Sequence, residues 1–154
     1  IAGNECRGLV MIFLGLDPGA SGAIVALGDS GDPLTAIKLS ETERDISEWF
    51  DIQVPGDGLP VVACLERVHS MPGQGVSSSF KFGTSYGFLR GMLVAHRIRF
   101  EEVSPQKWQK ALGCLSKGDK NVTKARAQEL FPNIIVNHAI SDALLIAEYC
   151  RRTQ

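Results

Sequence analysis

No run in this chain reaches the roughly 18 uninterrupted apolar residues that a membrane-spanning helix requires. The run Met11 to Leu16 is cut short at once by Asp17-Pro18, so no membrane partner is expected. The long apolar core of a secretory signal is also lacking, because Asn4, Glu5, Arg7 and Gly8 interrupt the first ten residues. Residues 1–10 therefore read as an N-terminal extension or non-native segment ahead of Met11, and residues 11–154 as a single domain. The expected location is not extracellular: the cytoplasm of a bacterial or phage-infected cell, or an organellar nucleoid. Cysteine is sparse and scattered: Cys6, Cys64, Cys114 and Cys150 form no C-x-x-C pair and have no histidine at zinc-site spacing. That excludes a zinc finger and leaves reduced, mostly buried thiols as the expectation. Repeats and low-complexity segments are missing as well. An excess of charge of either sign is lacking too. The net charge is −1, so any affinity for nucleic acid must come from where the charges sit.

What is present is an ordinary globular composition, 154 residues with 44% hydrophobic and 21% charged, enough for one buried core. Ile12 to Leu16 and Ala23 to Leu27 are short apolar runs joined through Asp17-Pro18-Gly19-Ala20-Ser21-Gly22, which reads as a β-hairpin. Leu34 to Leu39 adds a third strand, giving a meander whose first strand lies centrally. Ser40 or Thr42 caps a helix over Glu43 to Phe50, where Ile46, Trp49 and Phe50 fall at helical spacing. After the break at Pro55-Gly56-Asp57-Gly58, Leu59 to Leu65 is nearly continuous apolar sequence, as in a strand buried on both faces, with Glu66 at its carboxyl end.

Ser70 to Ser79 is rich in serine, glycine and proline and reads as a loop, with Ser77 to Ser79 capping a helix from Phe80 to His96. Gly83, Gly87 and Gly91 recur every fourth position of that helix and would permit close approach of another element, either the sheet or a second copy. Arg97 to Val103 is a further strand. Ser104-Pro105 opens a short helix over Gln106 to Leu112. Asn121 or Thr123 starts the next helix, which runs through Leu130 and is stopped by Pro132. After the connector Asn133 to Val136, His138 to Arg151 forms the final helix, with Ala139, Ala143, Ile146 and Ala147 on its inner face. The pattern is α/β with a mixed five-stranded sheet, in which ligands gather at the carboxyl ends of strands.

Asp17 and Glu66 both fall at such ends. Carboxylates at neighbouring strand ends suit a hard divalent ion such as Mg²⁺, and Asp142 on the final helix could complete a two-ion site for phosphodiester cleavage. His138 lies one helical turn before Asp142, on the same face, as a further ligand or proton shuttle. Each residue also has a plainer reading: Asp17 as a turn former, Glu66 as a solvated strand-end charge, His138 as a helix N-terminal residue.

Three segments together carry a resemblance: Gly15-Leu16-Asp17-Pro18-Gly19-Ala20-Ser21-Gly22-Ala23, then Leu65-Glu66, then Ser141-Asp142-Ala143-Leu144-Leu145-Ile146-Ala147. In this order the chain resembles the RuvC-like Holliday junction resolvases over about Met11 to Arg152. It looks most like the phage and chloroplast-type branch, where the Gly- and Phe-rich segment after the glutamate and the closing A-L-L-I-A-E-Y are similar. The resemblance implies an RNase H-like, retroviral-integrase-like fold and a homodimer. It also implies two Mg²⁺ ions per active site, with Mn²⁺ able to substitute, and paired nicking of four-way branched DNA. Asp17, Glu66 and Asp142 match the family's catalytic positions. A fourth acidic residue usual in the family is replaced here by Asn137 or His138. With His138 as the metal ligand activity should be intact; with Asn137 in its place the protein would be catalytically weakened and could serve as a junction-binding module.

Lys107, Lys110, Lys117, Lys120, Lys124 and Arg126 make a basic stretch that would hold phosphates, or else a solvated helix face. Phe80 and Phe82, with Lys81, stand where an exposed ring could stack on an unpaired base, and they occupy different faces, so at most one should be exposed. Tyr86 and Phe88 suit the core or a dimer interface. The Asp-Pro-Gly-Ala-Ser-Gly turn also resembles the phosphate-binding hairpin of actin-like kinases and ATPases. Those proteins place two such domains around a nucleotide, so no nucleotide cofactor is expected of this single domain. An RNase H-like nuclease acting on RNA is the remaining alternative.

Overall fold

The computed structural model describes residues 11–54, 59–69 and 71–154. The expected N-terminal extension and the Pro55 to Gly58 break lie outside the described residues. Five strands and five helices follow in the order β1 (Ile12–Leu16), β2 (Ala23–Gly28), β3 (Pro33–Lys38), α1 (Glu43–Gln53), β4 (Val61–Glu66), α2 (Val76–Ala95), β5 (Arg99–Val103), α3 (Pro105–Ala111), α4 (Lys120–Leu130) and α5 (His138–Thr153). The sheet order is β3-β2-β1-β4-β5, antiparallel across the first three and parallel at β1–β4 and β4–β5. The first strand is central, as the hydrophobic runs predict.

Alternation along the central strands divides the core in two. Ile12, Leu14 and Leu16 of β1 pack with Ile46, Trp49 and Phe50 of α1 and with Leu89 and Leu93 of α2. Phe13 faces the other way, with Val25, Leu27 and Cys64, toward Trp108 and Leu112, Ala127 of α4 and most of α5. The sheet is thus a middle layer with α1 and α2 on one side and α3, α4 and α5 on the other. Cys64, Cys114 and Cys150 are buried free thiols.

Helix starts follow their caps. Thr42 forms a reciprocal capping box with Asp45, and Ser104 caps α3 with Pro105 in its first turn. Two predicted starts are displaced. α4 begins at Lys120 because Asp119, not Asn121 or Thr123, accepts the first backbone N–H. α2 begins a turn early at Val76, with Gly75 as a cap lacking any side-chain hydrogen bond, so Ser77 to Ser79 lie inside the helix.

The glycines of α2 do not pack on the sheet, one of the two readings their spacing allowed. A Cβ added at Gly83, Gly87 or Gly91 would meet no heavy atom within 4 Å. These residues face away from the sheet, which α2 contacts through Leu89 and Leu93, helped by half-buried Tyr86, Phe88 and Met92. Close approach to the sheet is found instead at Gly15 of β1. There an added Cβ would lie 2.1 Å from the Ala143 carbonyl oxygen and 2.2 Å from the Ala147 nitrogen. α5 therefore rests directly on the central strand.

Candidate active site

Three elements bring the three predicted carboxylates to one edge of the sheet. Leu16 of β1 pairs in parallel register with Leu65 of β4, so the next residues, Asp17 and Glu66, leave the sheet side by side. Asp17 begins the hairpin turn: its N–H donates to the Ala23 carbonyl, and its Oδ1 accepts the N–H of Gly19, each at 3.0 Å. Gly22 is required at the turn, since a Cβ there would fall 2.1 Å from the Asp17 carbonyl oxygen. One carboxylate oxygen thus forms the turn, and the two readings of Asp17 are compatible. Asp142 arrives on the first turns of α5, immediately before Ala143, which lies on Gly15.

Their electrostatics show that the three carboxyls share one neighbourhood. Burial pushes the Asp17 carboxyl up to about 6; the Gly19 hydrogen bond and the Lys120 ammonium oppose the rise, and the Asp142 charge adds to it. Burial likewise carries Glu66 up to about 8, reinforced by Asp17 and Asp142 and opposed by a hydrogen bond from Trp108 and by Lys120. Asp142 Oδ1 is buried and accepts no hydrogen bond. A buried carboxylate oxygen without a donor, beside two carboxyls reluctant to ionise, is an arrangement that a cation would complete. Carboxylate oxygens are the donor set that hard divalent ions prefer. Among the described residues, no three His, Cys, Asp or Glu side chains are already grouped closely enough to hold an ion.

Glu66 and Asp142 line a cleft of about 400 Å³ whose walls include Gln106, Gln109, Lys117 and Lys120. Of the predicted basic stretch, Lys117 and Lys120 face this cleft. Lys107 is tied to Glu101 at 2.8 Å, and Arg126 donates to the Leu112 carbonyl and pairs with Glu129. Lys110 is exposed and Lys124 half-buried. Phe80 is 75% exposed and Phe82 half-buried, in keeping with a single exposed ring. Phe80 and Lys81 line a separate groove with Leu39, Glu41 and Ile46.

Asn137 and His138, the two candidates for a fourth ligand, are not among the residues lining this cleft. Asn137 Oδ1 accepts the N–H groups of Ala139 and Ile140 as the cap of α5, so its side chain is committed to the helix. His138 is exposed at the first position of α5. Among the described residues, the charges acting on Asp17 and Glu66 are those of Asp142, of Lys120 and, on Glu66, of Asp17. Glu148, farther along α5, is buried, which raises its carboxyl, but the hydrogen bonds and charges of Arg151 and Arg152 together bring it below its ordinary value.

Sequence reasoning missed Trp108. Its indole N–H donates to Glu66 Oε2 at 2.7 Å. A tryptophan among the polar residues of a short helix was the available signal, but no spacing links it to a glutamate on another element.

No protein-family model matches the chain, and no curated protein does. Among solved structures it is similar to Thermus thermophilus RuvC, with a TM-score of 0.60 and 15% identity over 90% of this chain and 92% of that one. It is similar also to T. thermophilus RuvC in complex with Holliday junction substrate, with a TM-score of 0.59 and 14% identity over 90% and 91% of the two chains. At such identities the likeness is one of architecture: the chain has the RNase H-like RuvC fold.

Proposed function

We propose that the protein is a metal-dependent endodeoxyribonuclease that resolves four-way DNA junctions by paired nicking, akin to the phage and chloroplast-type resolvases. The observation that carries this reading is the convergence of Asp17, Glu66 and Asp142, with the unsatisfied Asp142 Oδ1 among them. The architecture shared with RuvC, one of whose structures is a complex with Holliday junction substrate, supports DNA of that shape as the substrate.

Asp17, Glu66 and Asp142 would hold two Mg²⁺ or Mn²⁺ ions, with His138 as the fourth ligand, a reading favoured by the use of Asn137 as a helix cap. Divalent ions held there would supply the Lewis acidity for phosphodiester hydrolysis. Lys120 tempers the negative charge of the site, and with Lys117 it offers a phosphate two cations on the cleft wall. The open face of α2, where Phe80, Gly83, Gly87 and Gly91 are exposed, supports a homodimer in which two helices approach closely and two sites address opposite strands of a junction.

Incubation with a labelled four-way junction, a linear duplex and an RNA–DNA hybrid, each in Mg²⁺ and in Mn²⁺, tests the reading. Symmetric nicks confined to the junction are expected. Preferential cutting of the hybrid would mark an RNA-directed nuclease, and binding without cleavage would mark a junction-binding module; either result rejects the proposal.

A further inference from the structure

Trp108 is the largest of the fully buried side chains, and its N–H points at a carboxylate of the candidate metal site. A buried indole N–H needs an acceptor, and here the acceptor is Glu66 Oε2, 42 residues away in sequence. The geometry is set by the sheet. Val103, the last residue of β5, is the register partner of Glu66, and the next residue, Ser104, caps α3 by accepting the Lys107 N–H. With Pro105 opening the helix, the chain turns from beside Glu66 into a helix that returns Trp108 beneath it.

The chemistry of the donor matters as much as its position. An indole N–H is a donor only and carries no charge. A lysine or arginine at this place would neutralise the carboxylate and compete with a cation, whereas the indole orients the group and leaves its negative charge in place. It also approaches from the core, so Oε2 is engaged on the protein side while half-buried Glu66 lines the cleft with Asp142.

We propose that Trp108 is a positioning residue, which holds the Glu66 carboxylate in the orientation a divalent ion requires and does so through its N–H, not its bulk. The assignment rests on the reading of Asp17, Glu66 and Asp142 as metal ligands. Partners that orient metal ligands in this way typically change metal affinity or activity by about 10–100-fold when removed.

The test replaces Trp108 in the full chain by 3-benzothienylalanine, which carries sulfur in place of the ring N–H at nearly the same volume, with Trp108→Phe alongside. In the sulfur analogue, the melting temperature in EDTA should fall by only a few degrees, as expected for one lost hydrogen bond, and the metal-free affinity for a four-way junction should match the unsubstituted protein. The Mg²⁺ concentration for half-maximal thermal stabilisation should rise by about 10–100-fold, and kcat should fall with KM for the junction unchanged. A normal Mg²⁺ midpoint and kcat in the sulfur analogue would overturn the assignment, as would a defect confined to Trp108→Phe, which would make bulk the cause. If the unsubstituted protein shows neither Mg²⁺-dependent stabilisation nor junction cleavage, the nuclease reading falls and this assignment falls with it. Normal cleavage by the sulfur analogue defeats the assignment alone.

Discussion

α5 and α2 are the two longest helices among the described residues, lie on opposite faces of the same sheet, and are each associated with glycine, yet glycine serves them in opposite ways. Under α5 the glycine belongs to the strand: Gly15 lets the backbone at Ala143 and Ala147 come into contact with β1, and the helix is buried at Ser141 and from Ala143 through Cys150. In α2 the glycines belong to the helix and point outward, while only Leu89 and Leu93 are buried. A small-residue spacing therefore signals room for something to pass close by without saying on which side. The side is decided by where the large apolar residues go, since their burial dominates the packing energy.

That contrast can be broken most forcefully at Gly15. Gly15→Ala places a methyl group inside the backbone of α5, which must lift off the sheet, and a loss of about 4 kcal/mol is expected. Thermal melting should show a fall on the order of 10 °C; an unchanged melting temperature would mean that α5 is not seated as described. A second substitution on α5 separates chemistry from packing. Asp142→Asn should lower kcat on the four-way junction by roughly a thousandfold while leaving junction binding in EDTA intact. Asp17→Asn and Glu66→Gln should behave alike, and gel-shift and cleavage assays on the same preparations distinguish the two outcomes.

The carboxyl cluster beside α5 also has a pH signature. Asp17 and Glu66 keep their protons to higher pH when folded than when unfolded, so the metal-free protein should lose stability as pH rises from about 4 toward 8. Glu66→Gln should remove the part of that decline above pH 6 and raise the metal-free melting temperature at pH 8 by on the order of 5 °C. A melting temperature that climbs from pH 5 to 8 without metal would contradict the clustering. The smallest effect belongs to α2. Gly87→Ala meets no neighbour, so the fold should gain up to about 1 kcal/mol from helix propensity. If two copies pair through this face, the same methyl group should weaken the dimer in sedimentation measurements. A dimer unaffected by Gly87→Ala, and by the bulkier Gly87→Leu, would move the interface elsewhere.

Much of the frame was legible in the sequence because apolar runs and their breaks follow directly from burial. The central place of Ile12 to Leu16 and the neighbouring strand ends at Asp17 and Glu66 could be read from runs, turns and parallel crossovers. Asp142 was legible mainly through the order of three motifs. Helix starts were less secure where several cap-forming residues stand in a row: at Asp119 to Thr123 three candidates compete, and the one that accepts the first free N–H wins. The direction of the α2 glycine face could not be read, because glycine carries no side chain to announce it. Nor could the bond from Trp108 to Glu66, which exists only once β5 lies beside β4.

Seating Asp142 on β1 through Gly15 also places a limit in time. During synthesis, Asp17 and Glu66 emerge well before the segment that will become α5, and the site stays open until that helix settles on the sheet. A partly made chain thus has two acids and no third, and the proposed nuclease activity would appear only once α5 is seated.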